Sequence, residues 1–254
     1  MSQAKKVFTR MCLNNWGGID HKVLEFHEYV NLFSGKSGSG KSTVMDAIQV
    51  ILYGSFSPSF LNKAADDAKN RRSVLSYLRG EQKDGSANRK DCDFCSVIAL
   101  EIEDTGTHII TCIGIAFEVR KSDSEIKKFV YFSHSGKMPE SEYLTEQGVC
   151  YSNQEIKKLV SARTKSDDNR GKGEVNRIYG SKEAYLGTLY DVILGYIDQN
   201  RFITMEKSAI ALKMTNGTGQ FIRDYMFPKN TSNTIATISE QLDSYRQIKD
   251  KIED

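Results

Sequence analysis

Residues 35–42 read Gly-Lys-Ser-Gly-Ser-Gly-Lys-Ser, a fit to the pattern G-x-x-x-x-G-K-[ST]. The chemistry open to such a run is the grip of a phosphate chain. Gly35, Gly38 and Gly40 admit backbone conformations closed to other residues and let the main chain approach a ligand closely. The loop's N–H groups then turn inward at the positive end of the following helix, where an anion is favoured. Lys41 is the side chain that reaches β- and γ-phosphates, and Ser42 supplies a hydroxyl to Mg²⁺. Lys36, Ser37, Ser39 and Thr43 complete the candidate set, and ATP with Mg²⁺ is the ligand it implies.

Such a loop must be held between a strand and a helix. Val30-Asn31-Leu32-Phe33-Ser34 precedes it and reads as a short buried strand. Thr43–Tyr53 follows, with Val44, Ile48, Ile51 and Leu52 on one helical face. Upstream, residues 7–16 begin with alternation and residues 21–26 read as a second strand, with Asn14–Gly18 as turn chemistry between them, so a hairpin precedes the loop. Residues 73–80 predict a short helix closed by Gly80. Three β-rich runs at 96–103, 107–120 and 127–134, separated by hairpin-type turns, predict an antiparallel meander. Helices are expected at 152–161, at 182–194 behind a Ser181 cap, and at 221–227 before Pro228. Residues 164–173 read as a surface loop.

The end of the chain changes character. Ile235, Ile238, Leu242, Tyr245, Lys249 and Ile252 recur at three- and four-residue steps, which reads as the root of a coiled coil. The alternative is a surface helix packed back on the domain. The expected division is residues 1–230 as the main body and 231–254 as the start of the coiled coil.

Composition narrows the remaining choices. With 254 residues, 39% hydrophobic, 27% charged and a net charge of +2, the chain can bury a real core, and its charge neither requires nor excludes a nucleic-acid partner. No apolar run approaches the roughly 20 residues that span a bilayer, and no signal-peptide core follows the N-terminus, so the cytoplasm is expected. Five cysteines suggest no disulfide framework, and Cys92-x-x-Cys95 lacks a second pair to make a zinc site. An acidic strand to hold Mg²⁺ is also missing: the nearest run, 192–198, is interrupted by Gly195 and followed by Gln199. The chain can hold a nucleotide but shows no evident means of hydrolysing one.

Hairpin, phosphate loop, antiparallel insert, coiled-coil root and no acidic strand together resemble the N-terminal half of an SMC-type ABC ATPase head. Residues 32–48 look like that family's phosphate-loop segment. Leu13–Trp16, Ile19–Lys22, Leu61–Ala65 and Tyr77–Gly80 look like JetC, the SMC-like component of the Wadjet plasmid-defence systems. The chromosome-condensing MukB shares the Asn15-Trp16 pair and the phosphate loop but fewer of the other segments, and a MukB- or MksB-like chromosome-condensation ATPase is the alternative.

The resemblance implies an α/β P-loop NTPase half-head with an antiparallel β-rich lobe. It implies partners: a C-terminal half-head of the same protein, a second copy across ATP, DNA, kleisin-like and accessory subunits, and a nuclease, with no membrane. It places Arg79 near the nucleotide or the DNA-facing surface. It puts the turn 14–16 beside the adenine, with Trp16 as plain core the alternative. Gln199 and Gln220 are candidates for its glutamine loop. Lys63, Lys69, Arg71, Arg72 and Arg79 form one basic group, and Arg163, Lys165, Arg170, Lys172, Arg177 and Lys182 a second. Two other readings stay open: a self-sufficient P-loop small-molecule kinase with its own acid, and a binding module that does not turn nucleotide over.

Overall fold

The computed structural model describes residues 4–36, 38–58, 61, 73–82, 85–166 and 175–210. The chain divides into two compact units, Met1–Gln199 and Asn200–Asp254. The expected helix at 221–227, the heptad-like tail and the 230/231 boundary lie outside the described residues, as do Lys63, Lys69, Arg71, Arg72, Arg170, Lys172 and Gln220.

The first unit is built on a six-stranded sheet in the order β2-β1-β3-β4-β5-β6. Its strands are β1 (Lys6–Trp16), β2 (Ile19–Glu25), β3 (Phe94–Asp104), β4 (Ile110–Val119), β5 (Lys128–Ser135) and β6 (Arg177–Tyr179). Every neighbouring pair is antiparallel. The β1–β2 hairpin turns at Gly17-Gly18, where Gly17 takes a φ of 59°, the left-handed region that tight hairpins demand.

Both faces of the sheet are covered, which explains the unbroken apolar runs in β3 and β4. On one face Cys12, Val97, Ala99, Cys112, Ala116 and Phe132 pack with Met138, Tyr143, Ile156 and Val160. The last two belong to α3 (Asn153–Ser166). The other face carries Met11, Leu13, Ile98, Leu100, Ile113, Ile115, Phe117 and Tyr131, all buried. Against it lie α1 (Lys41–Tyr53), α2 (Val74–Arg79) and α4 (Lys182–Gly187).

Caps define the short helices. The Ser73 hydroxyl accepts from the Ser76 N–H, and Gly80 closes α2 at a φ of 65°. Ser181 accepts from the Ala184 N–H, as its position suggests. The helix expected to run on to Leu194 changes pitch: residues Thr188–Ile193 are a π-helix. The Thr188 hydroxyl donates to the Ala184 carbonyl, competing for an acceptor the α-helix would use. Leu186, Leu189, Tyr190 and Ile193 are nonetheless buried. A further helix, α5, spans Gln199–Ile210. Among the described residues no helix is long and apolar enough to cross a membrane.

One expectation is overturned. Residues 30–34 form no strand. The Asn31 side chain accepts from the His27 N–H and donates to the His27 carbonyl, which curls the segment locally. Among the described strands none runs beside it.

Candidate functional site

The phosphate loop closes on the first turn of α1. Gly38 and Gly40 take φ values of 85° and 90°, and a Cβ at either would meet nothing within 4 Å. Gly40 is the N-cap of α1, with no side-chain cap and no acidic residue in the first turn. The positive end of a 13-residue helix therefore faces the loop, with no side-chain cap from Gly40. Lys41 folds back over the loop: its Nζ donates to the carbonyls of Gly35 (2.6 Å) and Lys36 (2.9 Å) and to Ser39 Oγ (3.3 Å). Ser42 is exposed, and Ser37 lies outside the described residues.

The loop is framed by residues far away in sequence. The Trp16 indole N–H donates to the Thr43 carbonyl at 2.8 Å. Its ring stacks on Tyr77, with centroids 5.0 Å apart and planes within 7°. The Tyr77 hydroxyl donates to the Asp46 carboxylate, and the Tyr77 carbonyl accepts from the Gly17 N–H at 2.7 Å. Arg89, buried, donates to the carbonyls of Leu78 and Gly17 and pairs with Asp20 at 2.8 Å. Burial lowers its pKa, and Asp20 opposes that shift. A Cβ at Gly17 would come within 2.6 Å of the Thr43 methyl, so only glycine lets the hairpin turn sit on α1 this closely.

The far end of α1 is tied as firmly. Hydroxyls of Tyr185, Tyr190 and Tyr131 donate to the carbonyls of Ile51 (3.0 Å), Leu52 (3.0 Å) and Gly54 (2.6 Å). These are acceptors that a helix end otherwise leaves to water. Tyr77 and Asp46 fall within segments that carry the family resemblance, but no sequence signal points to this bracing role for them, for Arg89 or for Tyr131.

Other expected site residues fare differently. Trp16 is core: fully buried, it braces Thr43 and has no face open to a base. Arg79 donates to the carbonyls of Lys121 and Asp123, so it pins the β4–β5 turn. Asp198 is exposed after the π-helix and belongs to no strand, and Gln199 begins α5. Of the second basic group, Arg163 and Lys165 lie on α3, Arg177 on β6 and Lys182 on α4.

Glycine-rich loop, helix and covering sheet make this a P-loop NTPase fold with an antiparallel sheet. The family match agrees: residues 8–68 fit the family described as the P-loop containing region of AAA domain. The SbcC component of the nuclease SbcCD from Staphylococcus haemolyticus is 34% identical over 74 residues, 28% of this chain and 6% of that protein. The chain thus spans only 6% of the length of this curated relative. An SMC ATPase structure, from work on ATP-driven dimerization and DNA-stimulated activation, is 13% identical, with a TM-score of 0.34 over 61% of this chain and 90% of that one. The recombination mediator RecF with ATP is 14% identical, with a TM-score of 0.33 over 85% of this chain and 47% of that one.

Proposed function

We propose that this chain is the N-terminal half of an SMC-like ATPase head, which binds Mg-ATP at residues 35–43 and turns it over only with its C-terminal half. The observation that carries this reading is the segment entering the phosphate loop. Val30 and Leu32 are 77% and 88% exposed, in a run whose sequence reads as a buried strand. Apolar side chains beside the loop gain by burial under added polypeptide, and a lone strand is unstable without a partner. A self-sufficient kinase would have its own strand there.

In this reading the phosphates displace the Gly35 and Lys36 carbonyls from Lys41, and the N–H groups of the loop and of α1 orient the chain of oxygens. Ser42 would hold the metal, whose charge neutralises the transferring phosphate. The acid that completes the metal site comes from the C-terminal half. Two such heads close over two nucleotides, and hydrolysis drives DNA loop extrusion in plasmid defence, with kleisin-like subunits and a nuclease as partners. The local identity with a component of a nuclease supports the last of these.

The test has two parts. Mg-ATP at about 100 times its dissociation constant should stabilise this chain by roughly 2.7 kcal/mol, and Lys41→Ala should abolish the shift. Joined to the C-terminal half, the parent should hydrolyse ATP and Lys41→Ala should not. Equal turnover by both, or robust turnover by these 254 residues alone, overturns the proposal.

A further inference from the structure

We infer that Tyr77 is a positioning residue for the phosphate loop, an assignment that rests on the nucleotide reading above. Tyr77 belongs to α2, yet it touches each element framing the loop. Its ring lies on Trp16 of β1, its carbonyl takes the N–H of the hairpin turn at Gly17, and its hydroxyl bonds Asp46 of α1. Trp16 in turn holds the Thr43 carbonyl. Thr43 and Asp46 are three residues apart, neighbours on one helical face, and Lys41 and Met45 occupy the opposite one. The stacked pair therefore grips α1 at two points on one side, opposite Lys41 and, at Asp46, one turn below Ser42.

Two anchors on one face fix both the rotation and the axial position of a helix. Thr43 is the next residue after Ser42, so any twist of α1 relative to the hairpin moves Lys41 and Ser42 together. The chemistry chosen for the grip is informative. Trp16, Tyr77 and Asp46 are 0%, 2% and 3% exposed. A carboxylate so buried is a costly way to fill space, and an apolar side chain would pack there more cheaply. A hydrogen bond adds what packing cannot, a defined direction. The hydroxyl is thus the part of Tyr77 that orients the helix, while the ring serves the core.

The experiment uses the full chain and its sole tryptophan, Trp16, as the reporter. Mg-ATP is titrated against the parent, Tyr77→Phe, Asp46→Asn and the double variant, following Trp16 emission, and each is melted without nucleotide. Phenylalanine keeps the stack and removes only the hydroxyl. Tyr77→Phe should bind Mg-ATP about tenfold more weakly than the parent (about 1.4 kcal/mol), and the same change made on Asp46→Asn should weaken binding much less, because the bond it removes is already gone. If Tyr77→Phe melts lower but binds like the parent, Tyr77 is structural only and the inference is wrong. Multiplying effects in the double variant overturn it as well. Should Tyr77→Phe fail to fold, Asp46→Asn decides by the same criterion. A parent that does not bind Mg-ATP removes the nucleotide reading and this inference together; binding unchanged in the variants removes the inference alone.

Discussion

Acidification should weaken this fold through one histidine. His134 on β5 is fully buried. Its Nδ1–H donates to the Ser135 carbonyl at 3.0 Å and its Nε2 accepts from the Tyr143 hydroxyl at 2.9 Å, a pattern that suits neutral imidazole. Burial, with Arg163 nearby, depresses its pKa from 6.5 to about 4, against the pull of the Ser135 carbonyl. The unfolded chain therefore takes up a proton that the native state refuses. The stabilisation is whole above the unfolded value of 6.5 and is lost as pH falls toward about 4, below which both states are protonated. At 1.36 kcal/mol per pKa unit the loss is about 2 kcal/mol by pH 5 and about 3 kcal/mol by pH 4.

Urea unfolding followed by circular dichroism at pH 7.5, 6 and 5 measures this directly. In His134→Gln, which has no titrating group there, the loss between pH 7.5 and 5 should shrink by about 2 kcal/mol. Asp104 does not confuse the comparison. Lys6 and the N–H groups of Gly106 and Thr107 hold its pKa at about 2, so its share is present above 3.8 and lost only below that value. An equal pH dependence in parent and variant would refute the assignment of the buried neutral state.

Two further substitutions probe the packing. Gly114→Ala should destabilise the chain by about 2 kcal/mol or more, read as a shift of the urea midpoint, because a Cβ there would lie 2.6 Å from the Ile98 carbonyl oxygen and 2.7 Å from the Phe132 ring. A change under about 0.5 kcal/mol would mean the β3–β4–β5 register is wrong. Tyr185→Phe removes the hydroxyl that meets the Ile51 carbonyl and should cost about 1 kcal/mol in the same assay.

The hairpin and meander were readable because their cues are local: Gly17-Gly18 between alternating runs, and turn residues between the strands of the meander. The phosphate loop was readable from spacing alone. Residues 30–34 misled because their apolar content describes a strand, whereas a strand exists only by pairing, and Asn31 offers the backbone a nearer partner. The π-helix carries no residue signature, although Leu186, Leu189, Tyr190 and Ile193 are buried as their spacing suggests. The frame around α1 was hidden for a different reason. Tyr77 and Asp46 are 31 residues apart, and Arg89 and Gly17 are 72 apart, so no periodicity links them.

Adjacent strands β1 and β3 are separated in the chain by the hairpin partner β2, the phosphate loop, α1 and α2. The β1–β2 pair and the meander can each zip locally, but the seam between them must wait for distant ends to meet, the slow kind of closure. A chain emerging from the ribosome therefore carries its glycine-rich loop long before it has a surface on which to mount it.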